Sequence, residues 1–146
     1  MRRFPAGVAV VGVDLDGQRL GLTIGTLIPL SLRPPLVGFA VRREAALHEF
    51  LREARAFGIS LLAAGQESLA QHFARGVPPI ALWEGVAVRN TSGPPLLEGA
   101  LGWLTGRVVD EVAAGDDTFF VGEVSALEDG VKARPLVYVD QEYVGA

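Results

Sequence analysis

Three hydroxyl side chains, Thr23, Thr26 and Ser31, cluster around Gly25 in the stretch Gly21–Pro35. Hydroxyls both donate and accept hydrogen bonds. A glycine lets a ligand approach bare backbone. Pro34-Pro35 then sets an extended entry into the apolar run Leu36–Val41. Arg42 and Arg43 follow that run and precede a helical pattern. Helix N-terminal amides beside a guanidinium make a phosphate site. An apolar wall, a loop of donors and a phosphate grip suit a flat, phosphorylated ring ligand. Taken singly, each piece has a plainer reading, as a strand connection or as two solvated arginines at a strand end.

Other chemistries lack their residues. The chain has no cysteine, which removes disulfides, thiol catalysis and thiolate metal sites. Its two histidines, His48 and His72, are far apart and carry no ligand spacing, so no metal site is expected. No Gly-x-Gly-x-x-Gly follows a strand, no P-loop is present, and no Gly-x-Ser-x-Gly elbow occurs. Asp116, Asp117 and Glu123 form a small acidic group. Carboxylates can do acid–base work, but beside Gly115 these residues read more simply as turn formers.

The 146 residues fit one domain, residues 1–146. Apolar residues at 49% and charged residues at 21% describe a globular chain with a core. A net charge of −4 argues against a nucleic-acid partner, which needs a basic face. No apolar run approaches about 20 residues, so no membrane span is expected. The opening Met1–Pro5 has no signal-peptide core, and a cytoplasmic location is expected.

The elements that must position these residues follow from periodicity. Ala6–Val13 is a valine-rich strand. Asp14–Gly17 is a turn, and Gln18–Gly25 returns as the second strand of a hairpin. Leu36–Val41 is a third strand, and the arginine pair faces the hydroxyl loop if the second and third strands are neighbours. Leu47, Phe50, Leu51 and Ala54 share one face of a helix over Glu44–Ala54, with Glu44 in its first turn. Phe57–Leu62 is a strand and Gln66–Ala74 a helix carrying His72 as a surface or half-buried residue. Arg75–Pro95 is a long proline-rich connection around Ile80–Trp83, of the kind that tends to be functional. Leu96–Val112 and Thr118–Leu127 are long strands joined at Gly115–Asp117, and Pro135–Val139 is the last strand. Six or seven strands with two short helices exclude a parallel βαβ sheet and favour an antiparallel barrel.

Several segments, in order, resemble the flavin reductase-like family. Phe4-Pro5-Ala6-Gly7-Val8-Ala9-Val10-Val11 is similar to its opening, and Gly21-Leu22-Thr23 and Ser31-Leu32-Arg33-Pro34-Pro35-Leu36 to its next segments. Phe73-Ala74, Gly93-Pro94-Pro95-Leu96, Gly115–Thr118 with Gly122-Glu123-Val124, and Pro135-Leu136-Val137-Tyr138 continue the likeness to the end. The resemblance implies a mainly β fold with short helices, an antiparallel split β-barrel that binds FMN, with FAD as the alternative flavin. It implies that Thr23, Ile24, Gly25, Thr26 and Leu27 hold the flavin ring and ribityl chain. Ser31, Arg42 and Ala46 would complete the site, with Arg43 at the phosphate. It further implies a homodimer, NADH or NADPH as electron donor, and a monooxygenase or other protein as acceptor.

The chain departs from the family pattern at informative positions. The serine or asparagine that the family commonly has near Gly25, and its serine at Pro29, are absent. The serines and threonine that usually follow Arg43 are replaced by Glu44, Ala45, Ala46 and Leu47. The Gly-Asp-His turn, whose histidine is associated with nicotinamide, reads Gly115-Asp116-Asp117 and places a carboxylate there. Three functions therefore stay open at this level. They are an NAD(P)H-dependent flavin reductase, a non-enzymatic flavin electron carrier, and a split-barrel dimer without flavin.

Overall fold

The computed structural model describes residues 1–75 and 81–146. The hairpin forms as expected, from β2 (Ala9–Leu15) and β3 (Gln18–Ile24), after a two-residue β1 (Ala6–Gly7). Its turn places Asp16 at φ 52° and Gly17 at φ 86°, and the Gly17 N–H donates to the Asp14 carboxylate at 3.0 Å. Two successive positive φ values suit the twist of a hairpin, which explains the Asp-Gly pair.

β4 (Ile28–Leu32) and β5 (Pro35–Arg42) follow, then α1 (Ala46–Ala54), β6 (Ala56–Leu61) and α2 (Glu67–Ala74). The long strands β7 (Gly102–Ala114) and β8 (Asp117–Asp129) and the short β9 (Leu136–Val139) and β10 (Glu142–Gly145) complete the chain. Seven strands form one antiparallel sheet in the order β3-β2-β6-β7-β8-β5-β4, and β1, β9 and β10 form a second. The edge strands β3 and β4 are consecutive in sequence, with only residues 25–27 between them. A sheet whose two edges are tied so closely has to curl onto itself, as in a split barrel. Thr26 stitches the junction: its hydroxyl accepts from the Ala40 N–H at 2.9 Å and donates to the Ala40 carbonyl at 3.2 Å.

Two cores explain the unbroken apolar run of β2. Ala9, Val11 and Val13 face the barrel interior with Phe39, Phe57 and Phe120. Val8 and Val10 face a second cluster with Leu62, Phe73, Leu97 and Leu136 beneath α2. A strand covered on both faces loses its polar alternation. Inside the barrel, Phe39 meets Phe57 edge-on at 5.3 Å and lies 6.0 Å from Phe120. α1 buries Leu47, His48 and Leu51 against the barrel.

Several expectations need correction. β4 lies inside what reads as a loop, because Pro29 speaks against a strand. Pro29 sits on the sheet's edge strand beside a register shift, where a missing N–H costs no ladder bond. The second and third expected strands, β3 and β5, are not neighbours; they lie toward opposite ends of the sheet and approach only through barrel closure. α1 starts at Ala46, so Glu44 precedes the cap residue Ala45 and the first-turn acid is Glu49. β7 begins at Gly102 rather than Leu96. The preceding Leu97 instead lies in the second core, its N–H held by the Ser60 hydroxyl at 2.9 Å. β10 was not expected: its turn uses Asp140 and Gln141 at φ 50° and 62°, without the glycine that announces a tight hairpin. Part of the Arg75–Pro95 connection, residues 76–80 including Ile80, lies outside the described residues. Among the described residues, no helix is long and apolar enough to cross a membrane.

Candidate functional site

A cleft of about 480 Å³ opens between β3, the start of α1 and the end of α2. Leu20, Gly21 and Leu22 form one wall, Ala45, Ala46 and Leu47 a second, and Phe73 and Leu82 a third. Arg42 and Arg75 bring the positive charge. The start of α1 is unusual in its donors. Its cap residue is Ala45, with extended backbone and no side-chain cap hydrogen bond. Helix N-terminal N–H groups without a capping oxygen suit an anion. Among the described residues, Arg42 is paired only with Glu44, at 3.4 Å, and both side chains are well exposed. A pair so exposed is worth little, so Arg42 can turn to a phosphate at small cost.

The ten expected site residues divide between several surroundings. Arg42 and Ala46 line this cleft. Thr23 is half-buried and its hydroxyl donates to the Ala70 carbonyl at 2.7 Å, tying β3 to α2. Ile24 is 5% exposed in the barrel core, which leaves only its backbone for a ligand. Gly25 and Thr26 are exposed, with the Thr26 hydroxyl engaged by Ala40. Leu27 packs against the barrel core and Ser31 is half-buried on β4. Arg43 lies outside the cleft: its guanidinium donates to the Gly115 carbonyl and its own N–H donates to the Asp116 carbonyl. Asp117 is the cross-strand partner of Arg42, so the position that departs from the family histidine sits beside the cleft's arginine.

Arg75, Phe73 and Leu82 carry no motif that marks them as site residues. They reach the cleft only because α2 packs on β3. His48 is a second case. It is 4% exposed, with Nδ1 2.6 Å from the Glu49 carboxylate and Nε2 2.7 Å from the Thr118 hydroxyl. The ring therefore ties α1 to the start of β8, next to Asp117. The His48 hydrogen bond, then the Arg52 charge, hold the Glu49 carboxyl below its ordinary value against some desolvation. A lowered carboxyl pKa contributes stability above the unfolded value and loses it as pH falls, so acid weakens this tie. His48→Gln is expected to lower stability by about 1–2 kcal/mol, because the buried Thr118 hydroxyl loses its partner. Urea denaturation checks this, and an unchanged midpoint would show that the tie carries no stability.

The flavin reductase like domain family matches residues 1–146, and the chain belongs to that family. It is 38% identical over 143 residues to the reductase component of 4-hydroxyphenylacetate 3-monooxygenase of Thermus thermophilus, covering 98% of this chain and 90% of that one. It is 33% identical to an NADH:FMN oxidoreductase of Rhodococcus qingshengii, covering 98% of this chain and 77% of that one. Among solved structures, an NADH:FAD oxidoreductase of Streptomyces globisporus superposes with a TM-score of 0.90 at 32% identity. The match covers 99% of this chain and 87% of that one. The mainly β, antiparallel architecture agrees with the expected fold.

Proposed function

We propose that the chain binds FMN in the β3–α1–α2 cleft and acts as an NAD(P)H-dependent flavin reductase that supplies reduced flavin to a partner oxygenase. The observation that carries this reading is the uncapped start of α1 facing the same cleft as Arg42 and Arg75. The cleft suits a ring against Leu20, Leu22 and Phe73 with a phosphate at the helix end. The flavin, when bound, supplies the hydride and electron chemistry. The protein's residues position it: Arg42 and the α1 amides hold the phosphate, and Leu20, Gly21 and Leu22 of β3 border the ring. Arg43 acts indirectly by anchoring the Gly115–Asp116 turn. A homodimer fits the exposed edge strand β4, where Ile28, Leu30 and Leu32 are 44%, 44% and 91% exposed.

Asp117 supports a second reading, a flavin electron carrier that takes its electrons from a protein. A carboxylate beside the cleft repels the pyrophosphate of a nicotinamide dinucleotide. Anaerobic mixing with NADH and then NADPH separates the two. Bleaching of the flavin absorbance is expected for the reductase; a coloured protein that neither dinucleotide bleaches is a carrier. Asp117→His is expected to lower the KM for NADH by about 2–10-fold, the worth of one hydrogen bond. An unchanged KM would remove this position from the nicotinamide site.

A further inference from the structure

The open start of α1 poses a physical problem. Its cap residue Ala45 supplies no side-chain oxygen to the first N–H groups. A capping oxygen would pin that turn, but it would also occupy a donor that a phosphate needs. With neither cap nor ligand, a helix end frays.

His48 holds this turn from outside the cleft. It is the third residue of α1, and its backbone N–H donates to the Ala45 carbonyl at 3.0 Å. Its ring borders a separate pocket with Arg43, Glu49, Arg52, Glu111 and Thr118. The residue is 4% exposed, and the ring meets the fully buried Phe120 edge-on at 5.5 Å. An ionised carboxylate only accepts, so Nδ1 donates to Glu49 at 2.6 Å. In the neutral ring, Nε2 is then left to accept the Thr118 hydroxyl proton at 2.7 Å.

Thr118 sits where that bond has a consequence. It pairs with Val41 across the β5–β8 ladder, and the adjoining pair is Asp117 with Arg42. The strand pair that carries Arg42 therefore also carries the anchor of His48, one residue away in register. The chain between them is braced as well. The Ala45 N–H donates to the Arg42 carbonyl at 3.0 Å, and the Arg43 N–H donates to the Asp116 carbonyl at 3.1 Å. The Thr118–His48 bond extends this bracing from the strand end to α1.

We propose that His48 is a positioning residue for the phosphate grip. Through Thr118 it locks the first turn of α1 to the strands that present Arg42, so that open helix N–H groups and the guanidinium meet one phosphate. It orders the helix start and leaves every donor there free. The proposal rests on the flavin reading of the cleft.

Titrations of the whole protein with FMN and with riboflavin isolate the phosphate, as the ratio of the riboflavin to the FMN dissociation constant. His48→Gln and Thr118→Val, the latter close to threonine in volume, are each expected to shrink that ratio about 3–10-fold, the size of one hydrogen bond. Riboflavin affinity is expected to stay the same. Thr118→Ser keeps the hydroxyl and is expected to keep the wild-type ratio. The double variant is expected to lose no more than either single change, because both remove the same bond. A purely structural role would lower the urea midpoint and leave the ratio at its wild-type value. That result, or losses that add in the double variant, overturns the positioning role and leaves the flavin cleft standing. A wild-type protein that binds FMN no tighter than riboflavin removes the phosphate grip itself, and the role of His48 with it.

Discussion

Phe57→Ala is expected to cost about 3–5 kcal/mol of folding stability, the usual cost of emptying a phenylalanine site in a core. Phe57 is fully buried and sits edge-on to Phe39. The sheet is built around its ring. A Cβ on Gly122 would overlap the Phe57 ring, and one on Gly106 would crowd both that ring and the Glu123 backbone. Against a typical total of about 5–15 kcal/mol, the loss is a large part of the whole. Urea denaturation measures it. Phe57→Leu is expected to lose less, and Gly122→Val to be as damaging as the alanine change, since it forces the ring out from the other side. Equal midpoints for wild type and Phe57→Ala would mean that the barrel interior repacks freely.

Arg42→Ala is expected to weaken FMN by about 1.5–3 kcal/mol, roughly a 10–150-fold rise in Kd, the worth of hydrogen bonds to a charged group. The geometry assigns this effect to Arg42 because it lines the cleft beside the uncapped α1 terminus. Riboflavin, which has no phosphate, is the internal control and its affinity is expected to stay the same. Arg43→Ala is expected to weaken FMN less, through a looser Gly115–Asp116 turn. Titration of the flavin's fluorescence against each variant decides between the arginines. A larger loss in Arg43→Ala would move the phosphate to the far side of the Arg42–Glu44 segment. Equal losses for FMN and riboflavin would show that Arg42 supports the ring or the fold instead.

Much of the fold was readable because it rests on local rules. The Asp-Gly turn, the valine run of β2 and the Leu47–Leu51 stripe of α1 each declare themselves within a few residues. β4 and β10 did not, and for opposite reasons. In β4 a proline masks a strand that is tolerable only because it lies at an edge. In β10 a hairpin turn is made by Asp140 and Gln141, which carry no turn signature. Whether a strand is an edge depends on partners far along the chain, and no local pattern contains that.

The same division runs through the site. Residue types alone, with their order along the chain, determined the family, the barrel class and the presence of arginines next to a helix start. Only the tertiary structure decided which arginine faces the cleft. Arg42 and Arg43 are adjacent in sequence, yet successive residues of an extended chain point to opposite sides. Arg42 turns toward the cleft and Arg43 toward the Gly115 carbonyl. The hydroxyl of Thr23 looks like a ligand group in the sequence and is spent on α2 in the fold. Phe73, Arg75 and Leu82 become cleft walls only when α2 lands on β3. Covalent neighbours set which groups are available; packing sets which of them remain free to meet a ligand.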